Sequence, residues 1–121
     1  MAGNHEFLAD EPAELGGTDM GPKPEEYLLS ALGACTAITL RMYANRKSVP
    51  VAKIEVKLQF GAPIPEKMNR PINTHILLHG SLSPEQVTRM GEIAEKCPTH
   101  KSLEPAFVIN TNVELAPPEF Q

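Results

Sequence analysis

Residues 24–47 read PEEYLLSALGACTAITLRMYANRK, and this stretch decides the fold. Pro24 suits the first position of a helix, where its missing N–H costs nothing. Acidic side chains stand at the beginning of the stretch and basic ones at its end, as the helix dipole favours. Because apolar residues fall on nearly every side between positions 27 and 40, the pattern predicts a buried, central helix over Glu25–Lys47.

The length of this helix is large for the size of the chain. At about 1.5 Å per residue it spans roughly 35 Å, as much as a small domain is wide. The whole chain has 121 residues, which predicts a single domain over residues 1–121. We therefore expect the helix to need cover from a partner.

Charge and hydropathy argue against two classes of partner. The chain has 15 acidic and 11 basic residues, a net charge of −4, whereas nucleic-acid binders carry a basic patch or stripe. No uninterrupted apolar run approaches the ~20 residues of a membrane span. Residues 1–10 lack the basic and then apolar pattern of a signal peptide. These features predict a soluble, cytoplasmic protein that binds neither nucleic acid nor membrane.

The remaining pattern predicts three long strands and a second helix. Alternation predicts half-buried strands over residues 51–60 and 72–79, and residues 5–9 suggest a short strand. Ser83 opens the second helix with a capping box, and Pro98 ends it. The core face of the last strand holds Phe107, Ile109, Thr111, Val113 and Leu115.

This order of elements predicts an α+β fold. Two consecutive strands joined by a loop favour an antiparallel hairpin over a βαβ unit. We therefore expect the long helix and the second helix to pack on an antiparallel sheet.

The two cysteines are the first candidates for chemistry. Cys35 lies in the middle of the long helix, and Cys97 closes the apolar face of the second helix. Both could be buried packing residues, because free cysteine is among the most buried residue types. They could also form a reversible disulfide if their Cα atoms come within about 7 Å. A purely structural disulfide is disfavoured in a reducing cytosol.

Other polar residues give weaker signals. His100 follows Cys97 by three positions, but zinc sites usually show pairs of ligands at short spacing, so a metal site is not favoured. His75 and His79 share one face of a predicted strand, which indicates an exposed polar face. Glu25 alone indicates a first-turn helix charge.

Two segments resemble the OsmC/Ohr superfamily of hydroperoxide-reducing proteins, and most closely its branch that is also found fused to α/β-hydrolase domains. Residues 21–36, GPKPEEYLLSALGACT, are similar to the family's NPEx…A…AC helix start. Residues 97–103, CPTHKSL, are similar to its CPxSxxL element. Glu25 and Cys35 keep the family's ten-residue spacing, and the similarity covers nearly the whole chain.

The resemblance implies both an architecture and an activity. It implies an intertwined homodimer with two long helices at its centre. It implies a peroxidatic Cys35, a resolving Cys97 and a catalytic Glu25, which together reduce organic hydroperoxides to alcohols in a stress response. It implies no cofactor, only an external dithiol reductant.

Helix geometry bears on the dimer. Glu25 and Cys35 lie ten residues apart, or roughly 15 Å along one helix, and so cannot touch within it. A two-fold related, antiparallel helix could bring Glu25 of one copy near Cys35 of the other.

The sequence departs from the family in two respects. Family peroxidases pair the glutamate with an arginine from the N-terminal region, but residues 1–34 contain no arginine. Arg70, in a proline-rich loop, could reach the site. We also expect the family's N-terminal strands to be short or missing here. The alternatives are therefore a non-enzymatic dimer that binds an apolar small molecule, or an interaction domain of a larger assembly.

Overall fold

The computed structural model describes residues 1–118 and has the predicted α+β fold. A three-residue 3₁₀ turn, Ala13–Leu15, precedes the main elements. In chain order these are α1 Pro24–Lys47, β1 Val51–Phe60, β2 Ile72–Gly80, α2 Pro84–Ala94, α3 Pro98–Leu103 and β3 Ile109–Leu115.

The three strands form one sheet in the order β1-β2-β3. β1 and β2 form the predicted antiparallel hairpin. The expectation of a wholly antiparallel sheet was wrong, because β3 pairs parallel to β2, from Ile72 opposite Ile109 to Leu78 opposite Leu115. A parallel neighbour needs a crossover, and the chain supplies one through α2 and α3.

The central strand β2 has one buried face and one half-buried face. Ile72, Ile76 and Leu78 on the first face are fully buried. They contribute to two clusters. The larger includes Leu40, Ile76, Leu78 and Met90; the smaller contains Leu32, Ile72 and Cys97.

The long helix α1 follows the prediction closely at its ends. The backbone N–H of Lys23 donates to the Glu26 carboxylate at 2.9 Å, and Pro24 occupies the first helical position. The helix ends at Ser48, whose φ of 55° is left-handed. At Gly33, an added Cβ would lie 2.6 Å from the Leu58 side chain, so the missing side chain lets β1 approach α1.

Burial of α1 is less complete than predicted. Leu32 and Leu40 are buried against the sheet, but Ile38 and Met42 are 60% and 62% exposed. The helix therefore has one face in the core of its own chain and one apolar face outside it.

By length and composition α1 also qualifies as a membrane span, with a mean hydropathy of 1.2 over eighteen residues. Core helices of soluble proteins and signal sequences near the N-terminus have the same length and composition. The absence of a membrane span stays a prediction, as does the cytoplasmic location.

The second helix ends earlier than predicted. α2 begins with the expected capping box, in which Ser83 Oγ accepts from the Gln86 N–H at 3.2 Å. It stops at Ala94, and the chain turns before a separate short helix, α3. Pro98 does not close α2 but opens α3 at its first position, and Cys97 is the N-cap residue of α3.

The N-terminal segment is an extended arm and not the predicted strand over residues 5–9. It contains one isolated bridge, between Ala2 and His5. The Tyr27 hydroxyl donates to the Leu8 carbonyl, and the rings of Phe7 and Tyr27 lie 5.4 Å apart. The start of α1 thus holds the arm in place.

The core contains a buried hydroxyl group, that of Thr74, whose removal would test the packing. Thr74 on β2 is buried, and within residues 1–118 its Oγ1 has no hydrogen-bond partner. A buried unsatisfied polar group costs about 1–3 kcal/mol. We expect Thr74→Val to raise the free energy of unfolding by about 1 kcal/mol in urea denaturation.

Thr111→Val is the matched control, since Thr111 lies opposite Thr74 on β3 and is only half-buried. Its substitution should change stability by less than about 0.5 kcal/mol. A clear loss of stability in Thr74→Val would contradict the assigned packing.

Candidate active site

The structure brings Cys35 and Cys97 together. Cys35 lies in the middle of α1, and Cys97 stands directly before α3. Both are free cysteines, Cys35 packs against the cluster that contains Cys97, and each thiol influences the pKa of the other. The two cysteines therefore share one core, as predicted, although Cys97 reaches it from a turn and not from the face of α2.

Cys97 is fully buried and held by its neighbours. Its Sγ accepts from the backbone N–H of His100 at 3.2 Å and from the Thr36 hydroxyl at 3.8 Å. It packs with Leu32 and Ile72 in the smaller core cluster. Burial disfavours the charged form and raises the pKa of the Cys97 thiol.

Cys35 has a different environment, because it is only half-buried. Burial acts to raise its pKa, but hydrogen bonds oppose this effect. The donors are the hydroxyl and backbone N–H of Thr99, the Cys97 thiol and the Thr39 hydroxyl. Together they lower the pKa of Cys35 below its usual 9.0. Since the thiolate is the nucleophile, we expect Cys35 to react faster than the buried Cys97.

The structure places Glu25 apart from the thiols of its own chain. It lies in the first turn of α1, roughly 15 Å along the helix from Cys35. Its carboxylate forms an ion pair with Arg70, at 2.8 Å between Oε2 and Nη2. Both side chains are about half exposed.

Arg70 sits at the edge of the cluster that contains the thiols. Its guanidinium carbon lies 4.4 Å from the centre of the Phe60 ring, a distance typical of a cation–π contact. Phe60 in turn lies 6.2 Å from Phe107, and both rings pack against the cluster of Cys97. Arg70, which the sequence suggested could reach the site, thus pairs with Glu25. Its proline-rich loop gave no periodicity from which its position could be predicted.

Three of the four histidines lie beside carboxylates. His100 is buried, and its Nε2 lies 3.0 Å from Glu104. His75 and His79 are half-buried and pair with Glu114 and Glu55. Among residues 1–118, no three His, Cys, Asp or Glu side chains lie together as metal ligands would.

The family model of OsmC-like protein matches residues 17–112 of the chain. The chain belongs to the OsmC-like family. The matched region includes Cys35, Cys97, Glu25 and Arg70, so all residues of the candidate site lie within it. No curated protein matches the sequence.

Solved structures of OsmC-like proteins resemble the chain in fold. An OsmC-like protein from Mycoplasma pneumoniae is 27% identical, with a TM-score of 0.70, over 81% of this chain and 74% of that one. An organic hydroperoxide resistance protein OsmC from Legionella pneumophila is 20% identical, with a TM-score of 0.62, over 84% and 76%. The organic hydroperoxide resistance protein OhrB of Bacillus subtilis is 20% identical, with a TM-score of 0.59, over 86% and 76%.

The unequal environments of the thiols predict unequal alkylation. In native protein treated with iodoacetamide across a pH series, Cys35 should react first, with a midpoint below 9.0. Thr99→Val should move this midpoint upward, because it removes one donor to the thiolate and leaves the backbone N–H. Peptide mass mapping identifies the alkylated residue.

Thr88→Val on the exposed side of α2 serves as the control and should leave the midpoint unchanged. The assignment fails if Cys97 is alkylated before Cys35, or if the Cys35 midpoint lies at or above 9.0.

Proposed function

We propose that this protein has a peroxide-related stress role and reduces organic hydroperoxides through a two-cysteine cycle. The observation that carries the proposal is the contact between two free thiols whose pKa values shift in opposite directions. The names of the Legionella and Bacillus relatives, both organic hydroperoxide resistance proteins, support the substrate class.

The cycle follows from ordinary thiol chemistry. The Cys35 thiolate attacks the distal oxygen of the hydroperoxide, the O–O bond breaks, and the alkoxide takes a proton and leaves as an alcohol. Cys35 is now a sulfenic acid. Cys97 attacks its sulfur, water leaves, and a Cys35–Cys97 disulfide forms. An external dithiol reduces this disulfide by exchange and becomes oxidised itself.

The surroundings of the thiols favour an apolar peroxide. Leu29, Phe60 and Phe107 are half-buried around the cluster that contains Cys97 and Cys35. Such a lining binds an alkyl or aryl group by removing apolar surface from water. Hydrogen peroxide offers no such surface, so fatty or aromatic hydroperoxides are the better substrates.

The proposal includes a homodimer built on α1. Exposed apolar residues recur on α1 at intervals of three or four, at Ala31, Ala34, Ile38 and Met42. This spacing forms one stripe along the helix. Two stripes packed antiparallel about a two-fold axis would cover each other. They would also carry Glu25 and Arg70 of one copy toward Cys35 of the other.

The activity can be tested with cumene hydroperoxide and dithiothreitol as the reductant. We expect turnover by the wild type and at least a hundredfold loss, about 3 kcal/mol, in Cys35→Ser. Cys97→Ser should complete one turnover with no reductant present and then hold a sulfenic acid, which dimedone labels. No consumption of peroxide by the wild type would contradict the proposal and favour a dimer that only binds apolar molecules.

The shared site can be tested by mixing two inactive variants. Cys35→Ser and Arg70→Ala, refolded together, should form heterodimers in which one of the two sites has both side chains. Since half of the dimers are then heterodimers, activity should return to about a quarter of wild type. Light scattering should give twice the chain mass of 13.2 kDa.

Arg89→Ala provides the matched control, because Arg89 pairs with Glu92 at 2.7 Å on the surface of α2. It should retain full activity alone. If the mixture of Cys35→Ser and Arg70→Ala stays inactive, or if the protein is a monomer, the shared site is wrong.

A further inference from the structure

The two sulfur atoms of the pair differ sharply in access. The Cys97 side chain has no exposed surface, whereas the Cys35 side chain is only half-buried. A molecule that arrives from solvent therefore meets the Cys35 sulfur first.

We propose that the external thiol attacks the Cys35 sulfur of the disulfide and displaces Cys97, so that the mixed disulfide forms on Cys35. This inference rests on the proposed two-cysteine cycle and adds the order of its reductive half. Peroxide and reductant would then reach the same atom through the same opening.

The approach required for exchange supports this order. A thiolate attacks a disulfide along the S–S axis, from the side opposite to the leaving sulfur. Cys97 is enclosed by the protein core, where it packs with Leu32 and Ile72 and accepts from the Thr36 hydroxyl, so it offers no surface to an attacking thiolate. Cys35 is only half-buried and does offer such a surface. Access is among the factors that set the rate of exchange.

Hydrogen-bond donors already surround the sulfur that would be displaced. When Cys97 leaves, its thiolate is held by the same donors that the reduced thiol has, the His100 N–H at 3.2 Å and the Thr36 hydroxyl at 3.8 Å. No side chain has to be brought in from elsewhere to stabilise the new charge.

The acidity of the leaving thiol favours attack on Cys97 and not on Cys35. The more acidic thiol leaves faster, and Cys35 has the lowered pKa. Acidity alone would therefore direct attack to Cys97. Burial and acidity thus predict opposite products, and the identity of the mixed disulfide shows which of them decides.

The step balances as an exchange with a thiol reductant. The reductant thiolate forms a bond to Cys35 sulfur, the Cys35–Cys97 bond breaks, and Cys97 takes the electron pair and then a proton. In a dithiol reductant, the second thiol then attacks the reductant sulfur that is bonded to Cys35. Cys35 leaves as a thiolate, and the reductant ends as a disulfide.

The experiment uses a disulfide that needs no peroxidase activity. Wild-type protein is oxidised with diamide, treated briefly with 2-mercaptoethanol, quenched in acid with N-ethylmaleimide and mapped by peptide mass. We expect the mercaptoethanol adduct on Cys35 and the maleimide on Cys97, in at least about tenfold excess over the reverse. An adduct mainly on Cys97, or one divided equally, overturns the inference.

A second variant tests the physical cause. Leu103→Ala removes part of the cover over the cluster of Cys97, whereas Leu82→Ala makes the same truncation in the other cluster. The share of adduct on Cys97 should rise only in Leu103→Ala, with native circular dichroism in both variants. An unchanged share in Leu103→Ala would show that burial does not set the order.

The outcomes separate the two proposals. A disulfide that forms with diamide but not with a hydroperoxide rejects the proposed function and leaves the order of exchange open to measurement. A disulfide that forms with both oxidants, followed by an adduct on Cys97, rejects only the order. Two free thiols after diamide reject both.

Discussion

The contact between the start of α3 and the middle of α1 is the interaction on which the site depends. Cys97 is at once the N-cap of α3, through the His100 N–H, and a neighbour of Thr36 on α1. A shift of α3 away from α1 would carry Cys97 with it and separate the two thiols. The crossover from β2 to β3 runs through α2 and α3. The parallel pairing of β3 with β2 therefore also holds α3 against α1.

The chemistry of the site follows from neutral donors more than from charge. Within one chain, Cys35 receives hydrogen bonds from Thr99, Thr39 and Cys97. Such donors favour the charged thiolate over the neutral thiol. The Glu25–Arg70 pair lies at the first turn of α1, and in the proposed homodimer it would approach Cys35 of the second copy. In that proposal the second copy binds along the exposed apolar stripe on α1.

The sequence predicted correctly those elements that depend on residues close together in the chain. The ends of α1, the hairpin of β1 and β2, and the capping box at Ser83 all rest on neighbouring residues and were confirmed. The parallel β3 and the short helix α3 were missed. Pairing of β3 depends on the path of a crossover, and Pro98 ends one helix pattern as readily as it begins another. Arg70 reaches Glu25 through a loop whose shape no local pattern specifies.

The central claim is that Cys35 and Cys97 act as one redox pair, and the mass of the intact protein tests it directly. One equivalent of cumene hydroperoxide, added to reduced protein without any reductant, should lower the mass by about 2 Da and leave no thiol open to alkylation. Peptide mapping should then find Cys35 joined to Cys97. A protein that keeps both thiols, or that gains oxygen on Cys35 without forming the disulfide, would contradict the account.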